Sequence, residues 1–276
     1  MTSAEAAEST ARSYYDSEDA DNFYSRVWGG EDIHIGLYRT PDEEIAAASR
    51  RTVAKMAEVA GIGSGTRVLD LGAGYGGAAR QLAKRFGAAV HCLNLSPVEN
   101  DRNARLTTEQ GLEELVTVAT GTFEDVPVED ASVDVVWSQD AFLHSGAREK
   151  VLDEVVRVLR PGGQVVFTDP MAVDGLDQSS IQPILDRIQL STMATPGFYT
   201  DGLAARGMTA VTFHDHAEQL PTHYRRVREE LVAREQELAA AISDTYIANM
   251  KAGLQHWVDG GTAGKLTWGI VHAVRG

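Results

Sequence analysis

Apolar positions along the middle of the chain follow two alternating rhythms. Short β-branched and aliphatic runs, RVLDL (67–71), AVHCLNL (89–95), VTVATG (116–121), VDVVWS (133–138) and QVVFTD (164–169), read as strands. Segments of helical spacing lie between them. Leu82 and Phe86 share one face, a polar helix opens at Ser96 and Pro97, and Val151, Leu152, Val155, Val156 and Leu159 line another face. Arg160-Pro161-Gly162-Gly163 then stops that helix and turns the chain into the fifth strand. Strands alternating with helices over this length predict an α/β fold with a mostly parallel sheet covered on both faces, and ligands at the carboxyl ends of its strands.

On either side the alternation changes. Thr40-Pro41-Asp42-Glu43 predicts a helix start, with Thr40 as N-cap and Glu43 three residues on, and a helix running to about Ala60. Residues 1–60 read as a helical N-terminal segment and lid, and 61–276 as the main domain. Helical insertions interrupt that domain at about 171–208 and 217–262, around the strand-like MTAVTFHDH. LTWGIVHAV ends the chain as a last strand. No repeat of solenoid period is present.

Composition removes several classes of function. The 276 residues are 43% hydrophobic and 24% charged, ordinary for a soluble globular protein, and no apolar run is long enough to cross a bilayer. The N-terminal stretch carries acids where a secretory signal carries basic and then apolar residues, which argues for a cytoplasmic protein. Net charge is −15, a sign that repels nucleic acid and anionic lipid, so neither is expected as a partner. The acidity serves solubility or, on a sharper reading, a halophilic surface kept wet in concentrated salt. Cys92 is the only cysteine and sits in an apolar run, where a buried thiol is the default. His214 and His216 alternate on one strand face, but no further cluster completes a metal site, and no metal is expected.

The candidate chemistry begins at the end of the first strand. Asp70-Leu71-Gly72-Ala73-Gly74-Tyr75-Gly76 resembles the first motif of class I methyltransferases, whose glycines let the backbone approach S-adenosyl-L-methionine. The resemblance implies a Rossmann-like sheet, parallel with one antiparallel C-terminal strand. It also implies cofactor contacts from Asp70, Gly72, Ala73 and Gly74. At the end of the second strand most relatives in this superfamily hold both ribose hydroxyls with an acid; here Asn94 stands there, followed by Leu95. An amide can accept from one hydroxyl and donate to the other. Adenine is expected near Gly121, Thr122 and Phe123, although Phe123 serves equally as core. SQDAFLHS (138–145) follows the fourth strand, where this class places groups facing cofactor and acceptor; Ser138, Gln139, Asp140 and His144 are the candidates there.

Longer segments resemble a narrower family, the sarcosine/dimethylglycine N-methyltransferases that make glycine betaine. They are YYDSEDADNFYSRVWGGEDIHIGLY (14–38), WSQDAFLHS (137–145), TDPM (168–171), SSIQPILDRI (179–188) and the tail ANMKAGLQHWVDGG with GKLTWG. Methyl transfer from a sulfonium to the amine of an N-methylated glycine is implied, with the nitrogen held about 3–3.5 Å from the methyl. Such a site holds a carboxylate at one end and a methylated nitrogen at the other. Aromatic faces suit a moving positive charge, and Trp28, Tyr38 and Tyr199 are candidates. Asp140, His144 and Asp169 are the proton acceptors to weigh, with Met171 beside Asp169 in the acceptor site. For the substrate carboxylate, Arg187, Gln182, Lys265 and His34 stay open. A homodimer also stays open. The competing readings are a methyltransferase acting on another oxygen, carbon or amine acceptor, and a cofactor-binding protein without catalysis.

Overall fold

The computed structural model describes residues 17–276, so the part of the expected N-terminal segment before Ser17 lies outside the described residues. Helix α1 (Glu18–Val27) opens where the Ser17 hydroxyl accepts the Ala20 N–H, and it buries Ala20, Phe23, Tyr24 and Val27 along one face. Helix α2 (Ile45–Val59) starts later than the sequence predicts. Thr40–Glu43 is a turn, closed by Glu43 N–H donating to the Thr40 carbonyl at 3.2 Å. Glu43 does not complete a capping box, because its carboxylate accepts the Arg39 N–H and pairs with Arg51 one turn into α2. A two-pronged guanidinium outcompetes a single backbone donor for the same oxygens.

The alternating region follows: β1 (Arg67–Leu71), α3 (Gly77–Phe86), β2 (Ala89–Asn94), α4 (Pro97–Glu109), β3 (Val116–Thr120) and β4 (Val133–Gln139). A 3-10 turn at Phe142–His144 leads to α5 (Arg148–Val158) and β5 (Leu159–Ala172). The first insertion carries α6 (Gln182–Ile188) and α7 (Pro196–Ala205) before β6 (Met208–Asp215). The second carries α8 (Gln219–Ala233), α9 (Glu235–Leu238) and α10 (Asp244–Thr262) before β7 (Leu266–Arg275). The strand order is β3-β2-β1-β4-β5-β7-β6, with β7 antiparallel to both neighbours and the other pairs parallel. The expected sheet is therefore found, with its antiparallel strand lying inside the sheet. The order reverses between β1 and β4, which opens a crevice at their carboxyl ends.

Strand alternation sends Leu69, Leu71, Val136, Val165 and Phe167 to one face of the sheet, and Val68, Val90, Cys92, Val135, Trp137 and Val166 to the other. Cys92 is buried, as its apolar run predicts. A separate core joins the added helices: Phe23 from α1 and Trp28 at its C-cap, Leu185 from α6, Val227 from α8 and Leu254 and Trp257 from α10 meet Trp268 of β7. Tyr224 and Trp257 stack with ring centres 4.8 Å apart. Among the described residues, no helix is long and apolar enough to cross a membrane.

Candidate active site

Two adjoining cavities open over the β1–β4 crevice. The first is lined by Asp70, Gly72, Ala73 and Gly74 at and after the end of β1, Asn94 and Leu95 at and after the end of β2, and Gly121, Thr122 and Phe123 after β3. Gln139, Asp140 and His144 close its β4 side. Glycine is required in the β1 loop on steric grounds. Gly72 has φ +78°, and a Cβ there would lie 2.4 Å from the Ala141 Cβ. At Gly77 a Cβ would lie 2.2 Å from Asp32 Oδ1, because residues 31–33 cross directly over the start of α3. Arg80 of α3, itself buried, anchors that crossing by an ion pair to Glu31 at 2.8 Å, and Tyr75 donates to Asp21 of α1 at 2.7 Å.

Burial pushes the Asp70 carboxyl up to about 7, with His34 pulling the other way. Burial also opposes protonation of His34, yet Asp32, Asp140 and the Ile35 carbonyl outweigh it and raise its pKa. Asn94 donates through its amide to Glu99 Oε2 at 2.8 Å, so a carboxylate does stand at the end of β2, supplied from α4. Glu99 also lines the first cavity, and sequence reasoning missed it. Its signal was available: an acid three residues after the Ser96 cap, in the first turn of a helix that starts at the β2 crevice.

The second cavity is walled mostly by helices outside the alternating region: Tyr24 of α1 and Trp28 at its C-cap, Arg187 and Ile188 of α6, Tyr224 of α8 and Trp257 of α10. Ile33, Asp140 and His144 line both cavities, so the two compartments meet at these residues. Asp140 adopts φ +53° at the end of β4, a strained conformation for a non-glycine residue. Its carboxylate accepts the Ile35 N–H at 2.6 Å and the Trp268 indole N–H at 2.7 Å. Burial raises its pKa against these donors and His34. Burial lowers the His144 pKa to about 4, and Arg148 adds to the effect, so the ring is neutral near pH 7. The Gln139 side-chain N–H group has no partner among the described residues, while its carbonyl accepts the Trp137 indole N–H at 3.1 Å.

Five expected site residues stand apart from both cavities. Ser138 is fully buried and donates to the Leu71 carbonyl at 2.7 Å. Asp169 and Met171 fall on the buried face of β5, and Pro170 between them is the residue that lines the second cavity. Period-two alternation gives neighbours in the TDPM segment opposite faces. Asp169 accepts the Leu143 N–H at 3.1 Å and the Tyr199 hydroxyl at 2.6 Å, which braces the Phe142–His144 turn; burial pushes it up to about 8. Tyr199 is core, edge-on to Phe167. Tyr38 bonds through its hydroxyl to His223 Nδ1 at 2.9 Å behind the lid. Tyr24, Tyr224 and Trp257 supply the aromatic walls instead. Tyr24 was findable, since it lies one turn before Trp28 on the same face of α1.

Of the four residues weighed for a substrate carboxylate, Arg187 lines the second cavity and His34 the first. Gln182 bonds instead to Asp186 and Lys265 to the Ser180 carbonyl. Among the described residues, no group of three or more His, Cys, Asp or Glu side chains is placed to hold a metal.

A family model described as a methyltransferase domain matches residues 69–167. A glycine/sarcosine/dimethylglycine N-methyltransferase of Actinopolyspora halophila is 57% identical over 96% of the chain. The chain spans about half of that relative, 47% of its length. A sarcosine/dimethylglycine N-methyltransferase of Halorhodospira halochloris is 56% identical over 97% of the chain and 96% of its own length. A crystal structure described as a sarcosine dimethylglycine methyltransferase from Galdieria sulphuraria superposes with a TM-score of 0.90 at 47% identity, covering 95% of this chain and 98% of that one.

Proposed function

The chain belongs to the sarcosine/dimethylglycine N-methyltransferases, within the class I methyltransferases, and on that premise we propose how its two cavities divide the reaction. The enzyme transfers the methyl group of S-adenosyl-L-methionine to the amine of sarcosine, N,N-dimethylglycine or both, giving glycine betaine from the latter. The first cavity takes the cofactor and the second takes the acceptor. The observation that carries this division is that Asp140 and His144 line both compartments, so reacting groups held in each meet there.

The residues of the first cavity fit an adenosyl sulfonium. Gly72 and Gly74 bring backbone close to it, Asn94 with Glu99 offers an amide and a carboxylate to a ribose diol, and Gln139 has an unpartnered donor. When bound, S-adenosyl-L-methionine supplies an activated methyl whose S–C bond breaks as the amine lone pair forms the new N–C bond. The acceptor arrives mostly as an ammonium and reacts as the free amine. The ammonium proton leaves to solvent, and His144, neutral at physiological pH but too weak a base to hold that proton, adds no positive charge beside the reacting nitrogen. Asp140, fixed by two donors and immobile on a strained backbone, presents negative charge to a nitrogen that becomes cationic. Trp28, Tyr24, Tyr224 and Trp257 offer ring faces to the same charge.

The test is methyl transfer from S-adenosyl-L-methionine to glycine, sarcosine and dimethylglycine separately, with products identified by mass spectrometry. Betaine formed from dimethylglycine supports the assignment. Bound cofactor without transfer to any of the three refutes it.

A further inference from the structure

Three features of the second cavity have no role in the methyl transfer itself. The indole N–H groups of Trp28 and Trp257 are buried and have no hydrogen-bond partner among the described residues, although both rings line the cavity. A buried donor left without an acceptor is costly, and two beside one cavity point to a ligand that accepts from both. Among the described residues lining that cavity, Arg187 is the one Lys or Arg, in a chain of net charge −15. Its guanidinium lies on α10, with Nη2 2.9 Å from Met250 Sδ, a weak acceptor.

The third feature is Gly253, in the interior of α10, where glycine weakens a helix. A Cβ there would lie 2.1 Å from Arg187 Nε and 2.2 Å from its Cδ. The missing side chain is the space in which the arginine rests.

We propose that Trp28, Trp257 and Arg187 form a seat for the carboxylate of the acceptor, with Gly253 as the positioning residue that lets Arg187 lie there. The inference rests on the N-methyltransferase reading and deepens it, because it names what distinguishes an N-methylated amino acid from other methylated amines. All three groups come from the lid, whereas Asp140 and His144 come from the sheet end. An acceptor gripped by its carboxylate at the lid therefore turns its amine toward the first cavity. The seat selects against amines of the same shape that lack an anion.

The test compares two trimethylammonium compounds as inhibitors, glycine betaine with its carboxylate and choline without one. Trp28→Phe combined with Trp257→Phe keeps an aromatic face, though a smaller one, at each position and removes both donors. The expected result is a ratio of betaine Ki to choline Ki raised about tenfold, because the smaller ring faces weaken both cations alike while only betaine loses its donors, with the affinity for S-adenosylhomocysteine within twofold of the parent. Gly253→Ala should shift betaine and choline apart in the same way by displacing Arg187. The single substitutions, each raising the betaine-to-choline Ki ratio about threefold, carry the test if the double variant no longer binds S-adenosylhomocysteine. An unmoved betaine Ki, or equal losses for betaine and choline, overturns the seat while leaving the enzyme assignment standing. Failure of the parent protein to methylate either sarcosine or dimethylglycine overturns both.

Discussion

Replacing Gly72 with alanine should damage both the stability of this protein and its catalysis, and the cost divides into two parts that can be measured separately. The first part is conformational, since φ at position 72 is +78° and a left-handed backbone costs an L-residue about 1–2 kcal/mol. The second is steric. The new Cβ would meet the Ala141 Cβ at 2.4 Å, against about 3.5–4.0 Å for carbon atoms in contact, so one side must retreat by roughly 1.1–1.6 Å. Overpacking of that size costs about 1–3 kcal/mol, giving a total of about 2–5 kcal/mol. At about 2–4 °C per kcal/mol, the melting temperature should fall by about 4–20 °C. Ala141 stands between Asp140 and the Phe142–His144 turn, so a displacement there carries into the residues lining both cavities. A shift near 1 Å can lower kcat/KM about 100-fold. Ala141→Gly in the same chain removes the opposing Cβ and should restore the steric part while leaving the conformational part. Thermal melts, calorimetry with S-adenosylhomocysteine and dimethylglycine kinetics report the three quantities. A Gly72→Ala protein with unchanged melting temperature and kinetics, or a double variant no better than the single, refutes the reasoning.

Three further outcomes follow from the same geometry. Tyr199→Phe leaves the buried Asp169 without its 2.6 Å donor and should cost about 1–3 kcal/mol in denaturant unfolding with the KM for dimethylglycine unmoved; a raised KM with unchanged stability would put Tyr199 back in the acceptor site. His144 binds its proton only below about 4 in the folded chain, against 6.5 for an unperturbed histidine, so unfolding takes up a proton between these values and stability falls as pH drops through that window. His144→Gln should flatten this slope without abolishing it, because His223, lowered to about 3 by burial, acts in the same direction; an unchanged slope in urea titrations from pH 4 to 6.5 contradicts the assignment. Asp140→Asn keeps the shape and removes the negative charge facing both cavities, and kcat should fall on the order of 10²–10³-fold while S-adenosylhomocysteine still binds, whereas full kcat would exclude Asp140 from charge stabilisation.

Much of the cofactor side was legible in the chain because its determinants are local. A strand, a glycine loop and a helix start occupy neighbouring positions, so Asp70, Gly72, Gly74 and Asn94 come to one cavity wherever the βα units form. The misreadings were of facing and packing. In β5 a one-residue difference in parity sends Asp169 and Met171 into the core and Pro170 to the cavity. The predicted cap at Thr40–Glu43 gave way to the ion pair with Arg51.

What the sequence by itself determined about this protein is the set of elements, their order, the parallel sheet and the family, since periodicity and contiguous motifs encode them. The tertiary structure alone decided which aromatic residues wall the second cavity and which are filler. Trp28, Arg187, Tyr224 and Trp257 lie on four helices far apart in the chain, and only the packing of the lid brings them together, whereas Tyr38 and Tyr199, equally plausible as letters, are spent behind it. No local pattern carries that distinction, because it depends on which face of each lid helix meets the sheet.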